Sequence, residues 1–389
     1  MDVGRFRNSP VGRLVPVNVL DGATSYDHFA FVPAPLPDTV DLGQKTWGDV
    51  AAAAAALGRL DGAANRLPNP YLLVRPALTK EAISSSALEG TYAALEDVLG
   101  AEYLNIDDLS VETAEVRNHV LASELGLDLI KTLPICLRLV REVHNRLMQG
   151  SRGDYAEAGS FRTRQNWIGP RRGTPITSAL FVPPPSGEEL ERGLAEWESW
   201  VNRDNGIHGV VKVALGHYQF ETLHPFIDGN GRVGRMLVTL TLIEGGELRV
   251  PLLNVSPYFE EHRDEYVDLL RAVSETGDFE PWIRFFSAAV RSQSERALEK
   301  ADRLIAAREV ILDELHEAGK RGVALRIAED LIATPIVTPA RASERYSVSF
   351  QAANAAVADL VSRGVLREIT GRPYARLFAA PRIVDVIAE

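Results

Sequence analysis

The run His224-Pro225-Phe226-Ile227-Asp228-Gly229-Asn230-Gly231-Arg232-Val233-Gly234-Arg235 sets the organisation of everything around it. Pro225 disfavours the α conformation at the residue before it, so the preceding helix is expected to end by His224. Gly229-Asn230-Gly231 permits a tight turn in which several backbone N–H groups point one way and form a nest for an anion. The next helix is expected from about Gly231, with its unpaired N–H groups and positive dipole end facing that anion. Arg232 and Arg235, three apart, share a helix face from which both reach phosphate oxygens. Asp228 lies inside the turn, where a carboxylate can hold a hard divalent cation against phosphates. His224 stands at the rim with an intrinsic pKa suited to taking a proton from a hydroxyl. A base, a metal ligand and a phosphate cradle within twelve residues describe a nucleotide-transfer site. The run lacks the Gly-Lys-Ser/Thr ending of a P-loop.

Working outward, helices are expected over Val210–Glu221 and Gly231–Glu244 on either side of the turn. Others are expected over Trp47–Leu60, Val111–Leu129, Pro134–Met148, Gly187–Val201, Glu261–Thr276 and Pro281–Leu315. In Gly187–Val201, Leu190, Leu194, Trp197 and Val201 share one face. Pro68, Pro70 and Pro76 are expected to interrupt the chain, with Thr79 as N-cap of a helix Lys80–Leu88 and Gly90 as its stop. Residues 1–45 have no helical period and read as an extended lead-in, and Asn166–Pro185 as a loop or hairpin. After residue 307 the pattern changes. Short helices Val323–Ile332, Pro339–Arg345 and Ser349–Ser362 precede a strand Val365–Ile369, the turn Thr370-Gly371-Arg372-Pro373 and a strand Tyr374–Ala379. Three short helices and a hairpin describe a winged helix-turn-helix with Arg372 at the wing tip.

The 389 residues carry a net charge of −11 with 46% hydrophobic and 24% charged side chains, globular values that exclude disordered and fibrous classes. Lys320 to Arg382 holds ten basic and five acidic side chains, whereas residues 1–319 carry a net −14, so only the C-terminal segment invites nucleic acid. The single cysteine, Cys136, forms no intramolecular disulfide and fits a reducing compartment. No apolar run approaches the roughly 20 residues that cross a bilayer. No apolar stretch follows the basic residues of the first ten. The expectation is a soluble cytoplasmic protein with no membrane partner.

The run 224–235 resembles the signature of the Fic (Fic/Doc) family, HPFx[D/E]GNGRxxR. Its nine fixed positions would match by chance at a rate of order 10⁻¹² per window. Gly159, Phe161-Arg162, Gln165–Gly169 and Phe181–Pro185 are similar to the family's region leading into its flap, here Thr177–Val182. Ala158-Gly159-Ser160 stands where relatives usually have Pro-Gly-Glu. The resemblance implies a mainly α Fic fold with a small β-hairpin flap and a C-terminal winged helix-turn-helix. Its divisions are an N-terminal segment with an inhibitory helix (1–110), a Fic catalytic core (111–300) and the winged helix (301–389).

By the same resemblance the protein transfers AMP from ATP, with Mg²⁺, to a Ser, Thr or Tyr hydroxyl of a target protein, itself included. His224 is the general base, and Asp228 the Mg²⁺ ligand. Asn230 with the Gly229 and Gly231 backbone cradles the α- and β-phosphates. Arg235 grips the γ-phosphate, with Arg232 nearby, and Phe226 is a buried anchor. The resemblance puts Pro225 and Ile227 in the same ATP-binding loop. Gln219 neighbours the site, and His262 stands on the base or ribose side, where relatives often have Asn. His144 and His217 read as satisfied core histidines. Ser85-Ser86-Ala87-Leu88-Glu89-Gly90 resembles the inhibitory [S/T]xxxE[G/N] motif, in which Glu89 would pair with Arg235 and Ser85 would help hold the helix. Two alternatives stay open. One is the reverse reaction, de-AMPylation, with Glu89 positioning water. The other is a DNA-binding regulator using Gln351, Asn354, Arg372 and Arg376, disfavoured because Ser349–Ser362 has no basic residue. The target, the acceptor and the oligomeric state, a homodimer among the choices, stay open.

Overall fold

Helices α8 (Gly209–Leu223) and α9 (Asn230–Glu244) are apolar on nearly every face, so each must be surrounded to be stable, and they form the centre of the molecule. The computed structural model describes residues 1–21, 24–64, 69–149, 157–170, 173–371 and 376–389. Around the central pair stand α2 (Gln44–Ala64), α3 (Tyr71–Leu88), α5 (Val111–Leu129), α6 (Leu137–Leu147), α7 (Glu188–Val201), α11 (Arg263–Thr276) and α12 (Glu280–Glu317). Short helices α1 (Val3–Phe6), α4 (Leu95–Gly100) and α10 (Ser256–Glu261) fill corners between them. Val50, Ala53, Leu57, Leu60 and Ala64 of α2 repeat at helical spacing and bury one stripe, and this Ala-rich face lies along α12.

Two local expectations yield to packing. The prolines do not delay α3 until Thr79. It begins at Tyr71, encloses Pro76 and buries Thr79 as an interior residue, while Pro68 lies outside the described residues. Burial of Leu73, Pro76, Leu78 and Ala82 against the core outweighs the one backbone hydrogen bond that Pro76 forfeits. At the other end Gly90 takes φ +86°, the Thr91 N–H donates to Ser86 O (2.9 Å) and the Gly90 N–H to Ala87 O (2.9 Å). This is a Schellman stop, and it leaves Glu89 as the C-cap residue directly after the helix.

The second correction is the lead-in. Strands β1 (Gly12–Asp21) and β2 (Thr24–Pro33) form an antiparallel hairpin, in register from Gly12 opposite Pro33 to Asp21 opposite Thr24. Gly, Pro and Asp masked a β-branched run, and Pro16 is tolerated because β1 is an edge strand. The hairpin lies on the segment 176–182. Val19 and Ala30 pack with Ile176, Ala179 and Val182, and Phe31 joins Phe6 and Phe181. The Phe31 N–H donates to Val182 O (2.8 Å). On its other side Phe181 bridges to Ile168.

Helix α12 runs unbroken for 38 residues, so the division expected at 300/301 falls within a helix. Beyond it come α13 (Val323–Asp330), β3 (Ile336–Val337), α14 (Pro339–Tyr346), α15 (Phe350–Ser362), β4 (Arg367–Glu368), β5 (Phe378–Ala379) and α16 (Pro381–Ala388). The three strands form a small antiparallel sheet in the order β3-β5-β4. Thr338 and Ser349 cap α14 and α15 by accepting from Arg341 and Ala352 N–H groups. Arg372 lies outside the described residues, and Arg376 stands 3.7 Å from Glu368 and over the Phe378 ring. The unit packs on the far side of α3. Leu99, Ile336, Leu377, Ala379 and Val384 share a cluster, and Lys80 Nζ donates to Ala388 O (2.8 Å). Among the described residues no helix is long and apolar enough to cross a membrane.

Candidate active site

Helix α8 ends at Leu223, and His224 follows in the left-handed region (φ 46°, ψ 60°). Pro225 forbids further α backbone at His224, and a left-handed residue is a common way to close a helix. Arg162 reinforces the turn. Its Nε donates to His224 O (2.9 Å) and its backbone N–H to Pro225 O (2.9 Å). Phe226 is fully buried, stacked on the His144 ring at 3.6 Å and beside Phe161. The His144 Nδ1 accepts from Gly159 N–H (2.9 Å) and its Nε2 donates to Asp228 O (3.0 Å), so His144 is a satisfied strut beneath the loop. Both polar atoms of the Asn230 side chain engage the Phe226 backbone, at 2.7 and 2.8 Å. Asn230 therefore serves the turn by bracing it, which leaves main-chain amides to face an anion. Gly229 has φ +81°, and a Cβ there would press on Met148, Leu147 and His144 at 3.2–3.5 Å.

The first turn of α9 is where four N–H groups lack helical partners, and there the chain already holds an anion. A Cβ at Gly231 would collide with the Glu89 carboxylate and would lie 2.6 Å from the Arg235 guanidinium. Arg235 is 2% exposed. It donates from Nη2 to Glu89 Oε1 (2.9 Å) and to Ser85 O (2.8 Å), and from Nε to Ser85 Oγ (2.9 Å). Ser85 thus grips the arginine itself. The Glu89 side chain is 40% exposed, at the mouth of the site. Burial disfavours its charge, but the charge and hydrogen bond of Arg235, together with Arg232 and His224, outweigh that and hold its pKa below the usual carboxylate value. Arg232 is buried, 3.6 Å from Asp228 Oδ1 and 4.0 Å from Glu115 Oε2. Its Nε and Nη1 have no hydrogen-bond partner among the described residues, a donor set suited to an anion.

Burial, assisted by the Arg162 charge, pushes the His224 pKa down to about 4. The imidazole is therefore neutral at neutral pH. Its Nδ1 faces Glu221 O at 3.3 Å, so Nδ1 carries the hydrogen and Nε2 is left as the acceptor. Asp228 is partly exposed and accepts from the Gly229 N–H (2.7 Å). Among the described residues no group of three or more His, Cys, Asp or Glu side chains could hold a metal. One carboxylate beside a phosphate seat is a donor set that fits Mg²⁺, whose other ligands are phosphate oxygens and water.

The remaining expected residues are placed as follows. Pro225 is buried and Ile227 half-buried within the loop. Gln219 is buried and donates to Ala34 O (3.0 Å), tying α8 to the end of the hairpin. His262 sits where α10 meets α11, its ring 4.4 Å from that of Tyr258. Its neighbour Arg263 reaches Leu88 O (3.4 Å), which brings this junction beside the end of α3. His217 is buried between Gly234 O and the Tyr266 hydroxyl. Three residues were not singled out from the sequence. Arg162 was legible only as part of a Phe-Arg pair. Glu115, which accepts from Thr91 Oγ1 (3.0 Å) behind Arg232, and Thr91 itself carry no local signal.

Two buried carboxylates flank Arg235. Burial raises Glu81, bonded to the Ser256 N–H (3.1 Å) and hydroxyl, to about 7. It raises Glu221, whose Oε1 has no hydrogen-bond partner among the described residues, to about 7 as well. A raised carboxyl pKa means the folded state holds its proton while the unfolded chain has lost it. That contribution is present below about pH 4.5 and is lost as pH rises through about 7. Buried histidines act in the opposite direction but equally in wild type and variant. The stability of Glu81→Gln relative to wild type is therefore expected to rise by about 3 kcal/mol between pH 4.5 and 8. Urea denaturation at both pH values measures it, and a pH-independent difference refutes it.

Residues 134–242 match the Fic/DOC family, and residues 47–128 match the Fic/DOC family N-terminal region. Protein adenylyltransferase Fic of Drosophila grimshawi is 29% identical over 211 residues, 52% of this chain and 38% of that protein. The protein of the same name from Drosophila yakuba is 26% identical over 245 residues, 61% of this chain and 44% of that one. The chain thus spans well under half the length of these curated relatives. Among solved structures, a Fic family protein from Desulfovibrio desulfuricans superposes with a TM-score of 0.57 at 19% identity, covering 89% of this chain and 98% of that one. Fic-1 from C. elegans does so at 0.51 and 22% identity, covering 66% and 73%. The shared helical fold and the two matched regions agree with the turn at His224, and the chain carries a Fic/DOC domain over residues 134–242 preceded by that family's N-terminal region over 47–128.

Proposed function

We propose that this protein is an adenylyltransferase that moves AMP from ATP onto a hydroxyl side chain of a target protein. The observation that carries the reading is the anion seat at the start of α9. There Arg235 already holds a carboxylate over Gly231, with the neutral His224 at the loop's other end. The curated relatives are likewise named protein adenylyltransferases. In the reaction the acceptor oxygen attacks the α-phosphorus and the bond to pyrophosphate breaks. The hydroxyl proton passes to Nε2 of His224. The amides of Gly229–Gly231, with Arg232 and Arg235, would cradle the phosphates and stabilise charge as it develops. Asp228 would hold Mg²⁺, which when bound supplies charge neutralisation at the phosphates. The acceptor segment of the target would lie against the flap Thr177–Val182, whose own main chain is already paired with Ile168 and Phe31.

Glu89 is read as a brake on this activity. Its carboxylate occupies the Arg235 position that a γ-phosphate needs, so ATP would bind productively only once Glu89 withdraws. The reverse reaction is a second reading, favoured by the partial exposure of Glu89, where a carboxylate can orient water. The C-terminal unit is read as a winged helix used for protein docking rather than for DNA. Its α15 carries no basic residue, and Arg376 is engaged by Glu368.

Mass spectrometry of the Glu89→Gly protein after incubation with Mg-ATP tests the activity. The expected result is an adenylyl adduct on a Ser, Thr or Tyr of the protein itself or of added lysate proteins. An adduct of a different nucleotide moiety would move the donor assignment. No adduct from any nucleoside triphosphate, with AMP removed from a modified substrate by the wild-type protein, would favour the reverse reaction.

A further inference from the structure

Arg162 is 2% exposed, and among the described residues it has no carboxylate partner. A buried guanidinium without a counter-charge is costly unless its donors are well placed. Here all of its acceptors are backbone carbonyls. Nε donates to His224 O (2.9 Å), Nη2 to Pro184 O (2.5 Å) and Leu223 O (3.4 Å), and Nη1 to Arg164 O (3.5 Å). Leu223 and His224 supply the last carbonyls of α8, the negative end of its dipole, and these have no partners within the helix. Arg162 is therefore the cap of the helix that delivers the base. It also crosses to Pro184, where the chain leaves the flap.

We propose that Arg162 is the positioning residue of this site. It holds His224 in its left-handed conformation with Nε2 presented, and it keeps the flap that receives the acceptor segment at a fixed distance from that nitrogen. This inference rests on the adenylyl-transfer reading. A planar fork is required, because one donor cannot reach the end of α8 and the flap together. The cation also disfavours protonation of His224. Burial opposes the imidazolium most, and of the groups acting on it Arg162 opposes it too, whereas Glu89 at the end of α3, the Glu221 carbonyl on α8 and Asp228 in the turn favour it.

Arg162→Lys and Arg162→Gln, each placed in the Glu89→Gly protein, test this with Mg-ATP as the probe. The self-adenylylation rate at saturating ATP is expected to fall at least tenfold in both. The half-saturating ATP concentration should change less than twofold, since Arg162 touches no phosphate-binding group. The low-pH limb of the rate profile should move upward in Arg162→Gln and stay in place in Arg162→Lys. Rates within twofold of the parent, or a loss of rate matched by an equal loss of ATP affinity, would overturn the proposal. If Arg162→Gln loses its cooperative melt, Arg162→Lys decides alone. If the parent gives no adduct, the adenylyl-transfer reading falls by itself. The His224 titration followed by NMR then tests Arg162: an upward move in Arg162→Gln supports it, and an unmoved one overturns it.

Discussion

Replacing Glu89 by glycine is expected to raise the rate of self-adenylylation at fixed Mg-ATP by about 10- to 100-fold. A hydrogen bond between ionised groups contributes about 1.5–3 kcal/mol when buried, and each 1.4 kcal/mol is tenfold in occupancy. The Arg235 side is fully buried, but the Glu89 side chain is 40% exposed, so solvent screening moves the expectation to the lower half of that range. Folding should change little. Ser85 Oγ and Ser85 O still accept from Arg235, so the buried guanidinium is not orphaned, and glycine is well tolerated where a helix ends. Glu89→Gln is expected to lie between, because it keeps the volume and loses the charge. The rate of adduct formation by intact-protein mass spectrometry measures all three. Equal rates for wild type and Glu89→Gly would remove the brake from the account.

Replacing His224 by alanine in the Glu89→Gly protein should lower that rate by about 10²- to 10⁴-fold, the usual contribution of a positioned general base. ATP affinity should hold, because the amides of the α9 turn, Arg232 and Arg235 remain. Alanine is strained at φ 46°, at a cost of about 1–2 kcal/mol, and a distorted loop could mimic loss of the base. His224→Asn separates the two. Asparagine accepts the left-handed conformation and offers no basic nitrogen. Both variants are expected to be equally slow while binding ATP normally. A His224→Asn protein retaining more than a tenth of the parent rate would show that the hydroxyl proton leaves by another route.

The parts of this protein that were legible in its sequence are those set by neighbouring residues. The turn 224–231 is one. Pro225 bars the helix, Gly229 supplies a positive φ, and the following helix necessarily points its first N–H groups back into the turn. The central helices were legible because apolar residues on every face admit only a buried position. The N-terminal hairpin was not, since its β-branched residues are interspersed with Gly, Pro and Asp, and it is stabilised by lying on 176–182. Nor was the start of α3, where core burial overrides the preference of Pro76.

What the amino-acid order determined by itself, then, was a loop with the chemistry of phosphate binding, because backbone dihedrals are constrained over a few residues. Only the tertiary structure decided what meets that loop. Glu89 reaches Arg235 across 146 residues, Arg162 reaches the His224 carbonyl across 62, and Glu115 approaches Arg232 from α5. Of the three only the Glu89–Arg235 pair was expected, and that from the family resemblance of Ser85–Gly90 rather than from constraints between neighbouring residues. All three follow from how the helices pack around α8 and α9, and a side chain's partner is fixed only when the whole core closes.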